Sequence, residues 1–185
     1  NIVDIYMLER TYDNLFRIWL QDGGAKPEAS TSDQMRISYS GTLNPLKSLS
    51  DQIVYHPVKY KILFGSNADE ELQATFKVVK NTKTNVTDAV IKTRVIAAIN
   101  EFFALDNWDF GDSFYFTELA AYVHNQLAPD LLTAVIVPNQ SGQTFGSLFQ
   151  INSAADEIFI SGATVDAVSI ISALGANQLS ASGTV

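Results

Sequence analysis

The chain contains no cysteine, which removes disulfide frameworks, thiolate nucleophiles and cysteine zinc sites together. Histidine is nearly as scarce, with 2 in 185 residues. His56 and His124 form no HxH or HxxxH pair, so each is expected to be solvated or singly hydrogen-bonded rather than a metal ligand. No stretch approaches the roughly twenty consecutive apolar residues of a membrane span. The opening NIVDIYMLER has no initiator Met and no basic region leading into an apolar one, so no signal peptide is visible, and a fragment of a longer protein is expected. Basic residues are few, 12 against 20 acidic, for a formal net charge of -8. That balance argues against a duplex nucleic-acid binder, which needs a basic face to displace counterions, and against docking to an anionic membrane. Phosphate-cradling GxxxxGK[ST] and GxGxxG motifs are missing, as is the GxSxG nucleophile elbow. No cofactor is expected.

What the chain does have is apolar bulk. Hydrophobic residues make up 46% and aromatics 11%, enough for a packed core at this length. IVDIYML (2–8) and NLFRIWL (14–20) read as strands, possible partners in a hairpin. QDGGAKPEASTSD (21–33) is a loop of small and polar residues, with a short helix near 46–50 after Asn44-Pro45. IVYHPVKYKILFG (53–65) and EELQATFKVVKN (70–81) read as an antiparallel pair joined by SNAD, with Leu72, Ala74, Phe76 and Val78 on one face. The period then lengthens. Ile91, Val95, Ile99 and Phe102 recur at three- and four-residue steps, predicting a helix entered through Asn85 or Thr87 with Asp88 in its first turn. A second helix is predicted over 117–127, ended by Pro129, and LLTAVIVP (131–138) reads as a strand. NQSGQTFGS is a loop, short strands are expected around 149–151 and 157–161, and 164–174 fits helix or strand, with Thr164 as a cap and the spacing of Val165, Val168, Ile171 and Leu174 favouring helix. The sum is one α+β domain over 1–175, a mostly antiparallel sheet packed against two main helices. It carries a polar loop or arm at about 22–50 and a flexible tail at 176–185.

One stretch invites a chemical reading. WDFGDSFYFTELAAYVHNQL (108–127) contains the Asp-Phe-Gly triplet that in a protein kinase carries a metal-binding aspartate. No glycine-rich strand-turn-strand, lysine-bearing strand or catalytic-loop motif precedes it. Its simpler reading is a turn at Gly111 between helices, with Trp108, Phe110, Phe114 and Phe116 as apolar anchors, Thr117 as a cap and Glu118 favouring the first turn. The acidic pairs Asp69-Glu70-Glu71 and Asp156-Glu157 sit at turn or strand edges, where solvated ends are the common case, although sequence-distant carboxylates can form a glycosidase pair. The sequons at Asn85 and Asn139 are better explained as a helix entry and a turn.

The order VDIYML, KYKILFG, TDAVIKTRVIAAINEFFAL, WDFGDSFYFTELAAYVHNQL, TAVIVP resembles the carboxy-terminal half of baseplate-J-like proteins. These are wedge subunits of contractile phage tails and related injection machines, among them those of T-even-type phages. The resemblance spans about 2–160, and its most specific part is a long helix ending in aromatics followed by W-x-F-G-(D/E) and Y-F-(S/T)-E-L. It implies a virion protein without catalysis, assembled in the host cytoplasm, whose partners are itself, as a homodimer or ring, and other baseplate wedge subunits. The polar segment 23–49 is longer than a minimal connection needs.

Within that reading, the apolar, late and weakly charged segment 157–174 is expected to contribute a self-contact, through Phe159, Ile160, Val165, Val168, Ile171 and Leu174. Two other classes remain open. A carbohydrate- or peptide-binding module is favoured if the loops 21–33 and 139–147 line an aromatic-rich concavity. A hydrolase is favoured by two acids about 5 to 9 Å apart in one pocket.

Overall fold

The structure is a computed structural model that describes residues 2–48, 52–139 and 150–175. In chain order the elements are β1 (Ile2–Met7), α1 (Arg10–Asp22), α2 (Ser32–Ser38), α3 (Ser40–Leu43), a 3-10 turn (Asn44–Ser48), β2 (Gln52–Pro57), β3 (Lys59–Leu63), a 3-10 turn (Glu70–Leu72) and β4 (Ala74–Lys80). They continue with α4 (Asp88–Phe102), a 3-10 turn (Leu105–Asn107), β5 (Ser113–Tyr115), α5 (Phe116–Leu127), β6 (Leu131–Pro138), β7 (Gln150–Asn152), β8 (Glu157–Ser161), a 3-10 turn (Val165–Ala167) and β9 (Val168–Ile171). The fold is mixed helix and sheet, as the alternating periods imply. Its antiparallel character holds only loosely: β1–β2 and β4–β9 pair parallel, whereas β4–β6 and β5–β7 pair antiparallel. Two compact units are distinguished. One comprises Asn1–Tyr60, Phe110–Asp112 and Ser153–Ile158, the other Lys61–Asp109, Ser113–Asn152 and Phe159–Val185.

The second unit is built on the three-stranded sheet β6-β4-β9, with α4 and α5 packed against it. The central strand β4 is buried at five of its seven positions because it is flanked on both edges. Ala74, Phe76 and Val78 face the main core, as their alternation predicts. α4 presents Ile91, Val95 and Ile99 to that core and α5 presents Leu119, Val123 and Leu127, each set at helical spacing. Thr87 caps α4 by accepting a bond from the Val90 N–H, and Asp88 follows in the first turn.

The first unit holds the two-stranded sheet β1-β2 and α1 to α3. Three expectations are corrected here and in the strands beyond. NLFRIWL is helical, part of α1. Apart from Arg17 its six last residues are all apolar, so strand alternation and helical period fit equally, and the deciding set is Tyr12, Phe16 and Trp19 on one face. α1 then stops at Gly23, in a positive-φ conformation (76°), whose N–H bonds the Trp19 carbonyl at 2.9 Å. The run 53–65 is not one strand of a hairpin. Pro57 divides it into β2, which pairs with β1, and β3, which pairs with β8, while β4 pairs with β6 and β9. The segment 164–174 is a 3-10 turn and then β9 rather than a helix, because the run Val168-Ser169-Ile170-Ile171 finds a parallel partner in β4.

The segment expected as a polar loop or arm holds α2, α3 and a 3-10 turn. α2 opens on a capping box, with the Gln34 N–H bonding Thr31 Oγ1 at 3.2 Å and the Thr31 N–H bonding Gln34 Oε1 at 2.8 Å. The expected tail at 176–185 and most of the loop at 139–147 lie outside the described residues, as does Phe149 at the start of the strand expected around 149–151.

Candidate functional site

The stretch that most resembled chemistry serves the interior and its turns. In the second unit Trp108 donates its Nε1–H to the Phe102 carbonyl at 2.8 Å and stacks on Phe103 with ring centres 5.4 Å apart. Phe114 is fully buried and meets Phe102, Phe103, Phe116 and Phe159 edge-on or tilted. Edge-to-face aromatic pairs of this kind add about 0.5–1.5 kcal/mol each beyond area burial. In the first unit Gly111 takes a left-handed turn (φ 80°), and its N–H reaches the Glu157 carbonyl at 3.2 Å. Asp112 accepts from the Ser153 N–H and hydroxyl through its backbone oxygen.

Two expectations in that stretch are corrected. Phe110 is partly exposed rather than an anchor. α5 begins at Phe116 with Tyr115 in the cap position, so Thr117 lies inside the first turn and no side chain caps the helix. Glu118 does sit in that first turn, where its charge suits the helix dipole.

The two histidines lie in different units. His56 Nε2 is 2.8 Å from Asp4 Oδ1, and its ring stacks on Tyr6 at 4.7 Å. His124 has a buried Nδ1 without a hydrogen-bond partner. Among the described residues no group of three His, Asp or Glu is placed to hold a metal.

A compact polar cluster lies in the first unit. Tyr60 donates its hydroxyl to Asp13 Oδ1, Arg17 Nε meets the same oxygen at 2.6 Å, and Arg17 Nη2 reaches the Tyr60 hydroxyl at 3.3 Å. Burial, and then the bond to Asp13, push the Tyr60 phenol well above the usual tyrosine range. A phenol so held is a donor at every physiological pH, and neither a base nor a nucleophile. The cluster ties α1 to β3. A second tie runs through Glu9, which accepts from the Ser30 hydroxyl at 2.5 Å and the Tyr39 hydroxyl at 2.9 Å, fastening the segment after α1 back onto its start.

The six residues expected at a self-contact separate. Phe159, Ile160 and Val168 are buried in the protein's own interior, Ile171 is half-buried, and only Val165 and Leu174 are exposed. Among the described residues the large apolar side chains more than half exposed are Ile2 at 65%, Leu15 at 51%, Ile18 at 54% and Ile37 at 71% in the first unit and Leu132 at 54% in the second. Leu15 and Ile18 lie three residues apart on the exposed side of α1, flanking the face that buries Tyr12 and Phe16. The signal that would have found them is the helical period of α1.

No family model matches the chain, and no curated protein matches it. No helix among the described residues is long and apolar enough to cross a membrane.

Proposed function

We propose that this chain is a structural assembly module that associates with copies of itself and with neighbouring subunits, and that it works as part of the baseplate wedge of a contractile tail in a virion. The observation that carries the reading is the set of large apolar side chains on the outside of the first unit, on β1, α1 and α2. Leaving Leu15, Ile18 and Ile37 in water forgoes burial worth about 1.5–3 kcal/mol for each such side chain. Leu15 and Ile18, three residues apart on α1, make an adjacent exposed pair, and adjacent exposed apolar side chains are what an assembly contact covers. The polar groups that do converge, Tyr60 with Asp13 and Arg17 and Glu9 with Ser30 and Tyr39, are engaged in fastening helices. The resemblance of the segment order to baseplate-J-like wedge subunits points the same way.

The test is the effect of Leu15→Asp with Ile18→Asp on sedimentation velocity across a concentration series. The double variant keeps the helical circular dichroism of the parent and loses its larger species. A parent chain that forms no larger species, either alone or mixed with other wedge subunits of a contractile tail, contradicts the reading.

A further inference from the structure

We infer that the outer edge of β1 is a docking edge for β1 of a second copy, joined antiparallel so that two two-stranded sheets become one sheet of four. The inference rests on the assembly reading above and names its contact.

The alternation of the backbone groups follows from one bond. The Val58 N–H donates to the Met7 carbonyl at 2.8 Å, and Met7 lies opposite Pro57 in the parallel register. In a parallel pair each bonding residue reaches the positions before and after its opposite number, and its sequence neighbours turn their groups the other way. Val3, Ile5 and Met7 therefore bond to β2, and Ile2, Asp4 and Tyr6 aim N–H and C=O outward. Among the described residues no other strand pairs with β1, and every β1 residue is exposed or half-buried. The same alternation turns Ile53, Tyr55 and Pro57 to the far edge of β2. Pro57 has no N–H to offer there, so that edge is blunted and the β1 edge is open.

The chemistry of β1 suits its own copy. Antiparallel docking about a twofold axis through Ile5 sets Val3 opposite Met7 of the second copy, and Ile5 opposite Ile5, on the half-buried face. On the exposed face Asp4 falls opposite Tyr6 of the second copy. No like charges meet, since Asp4 is the single charged residue of β1 and is already bonded to His56. A twofold contact requires a patch complementary to itself, and this strand meets that condition. The order β2-β1-β1-β2 leaves a Pro57 edge on both outer sides and exceeds the two-stranded size at which sheets are marginal.

Residue-resolved amide exchange on the whole chain, dilute and concentrated, tests this. The amides of Ile2, Asp4 and Tyr6 exchange freely in dilute protein and become protected in step with association, while those of Val3, Ile5 and Met7 are protected throughout. Asp4→Pro removes one outward N–H and the side-chain bond to His56 while leaving the backbone bonds to β2, and lowers the associated fraction; Asp4→Ala, which loses the same side-chain bond but keeps the N–H, retains that fraction. Association with Ile2, Asp4 and Tyr6 still exchanging freely overturns this edge and leaves the assembly reading standing. A chain that stays monomeric at all concentrations overturns both.

Discussion

Replacing Gly65 by alanine tests the tightest backbone approach in the second unit. Gly65 sits at φ 72°, directly after Phe64 at φ 65°. A Cβ there would lie 1.8 Å from the Gly162 carbonyl oxygen and 2.5 Å from its carbon. An L-residue in the left-handed region costs about 1–2 kcal/mol. The overlap is with backbone, so the 162 segment must also move, breaking the 2.8 Å bond from the Gly162 N–H to the Leu63 carbonyl at a cost of about 1 kcal/mol. Phe64 cannot swing aside to help, because it is fully buried against Phe76, Phe103, Phe114 and Phe116. Gly65→Ala should therefore cost about 3 kcal/mol or more in urea unfolding followed by fluorescence, and lower the melting temperature by roughly 10 °C at this size. Gly23→Ala is the control: nothing lies within 4 Å of the added Cβ, so only the conformational cost of its backbone (φ 76°, ψ -161°), about 1–3 kcal/mol, is lost, with no overlap added to it. Equal losses for the two variants would refute the reasoning.

Tyr60→Phe removes the hydroxyl that bonds Asp13 and should cost about 1–2 kcal/mol at neutral pH. Because the folded phenol is held above its ordinary value of 10.0, its contribution is fully present below pH 10.0 and is lost as pH rises towards the folded value. The parent should lose more stability than Tyr60→Phe between neutral and strongly alkaline pH, and parallel pH profiles for the two would count against the cluster. Thr31→Ala breaks the capping box of α2 and should cost about 1 kcal/mol by urea unfolding, with Thr31→Ser recovering most of it. Ile160→Asp places a charge at a buried position and should destabilise the fold by more than about 4 kcal/mol. Loss of near-ultraviolet circular dichroism reports it, and a folded, merely dissociated variant would return Ile160 to the surface.

The local signals were readable where one period fitted and the others did not. α4 announces itself by the steps Ile91, Val95, Ile99 and by Thr87, and the structure keeps both. α1 was ambiguous because Leu15 to Leu20 is apolar on every side but one, so the hidden face, Tyr12 and Phe16, could not be separated from the outer face, Leu15 and Ile18. Thr31-x-x-Gln34 was a legible capping box inside a segment whose glycines and proline suggested only a loop. Strand partners were the least legible feature. β4 chooses β6 and β9, and β1 chooses β2, through contacts between segments far apart in the chain. Local pattern carries no record of such pairing. The same holds for the apolar residues from Phe159 to Leu174: composition marks them as apolar, but only the fold decides that Phe159, Ile160 and Val168 turn inward.

The central claim is that this chain is built to associate, and sedimentation equilibrium over a wide concentration range tests it most directly. The weight-average mass should rise from that of one 20.3 kDa chain towards a dimer or closed ring as concentration increases, and Leu15→Asp with Ile18→Asp should suppress the rise. A mass that stays at one chain throughout would contradict the account.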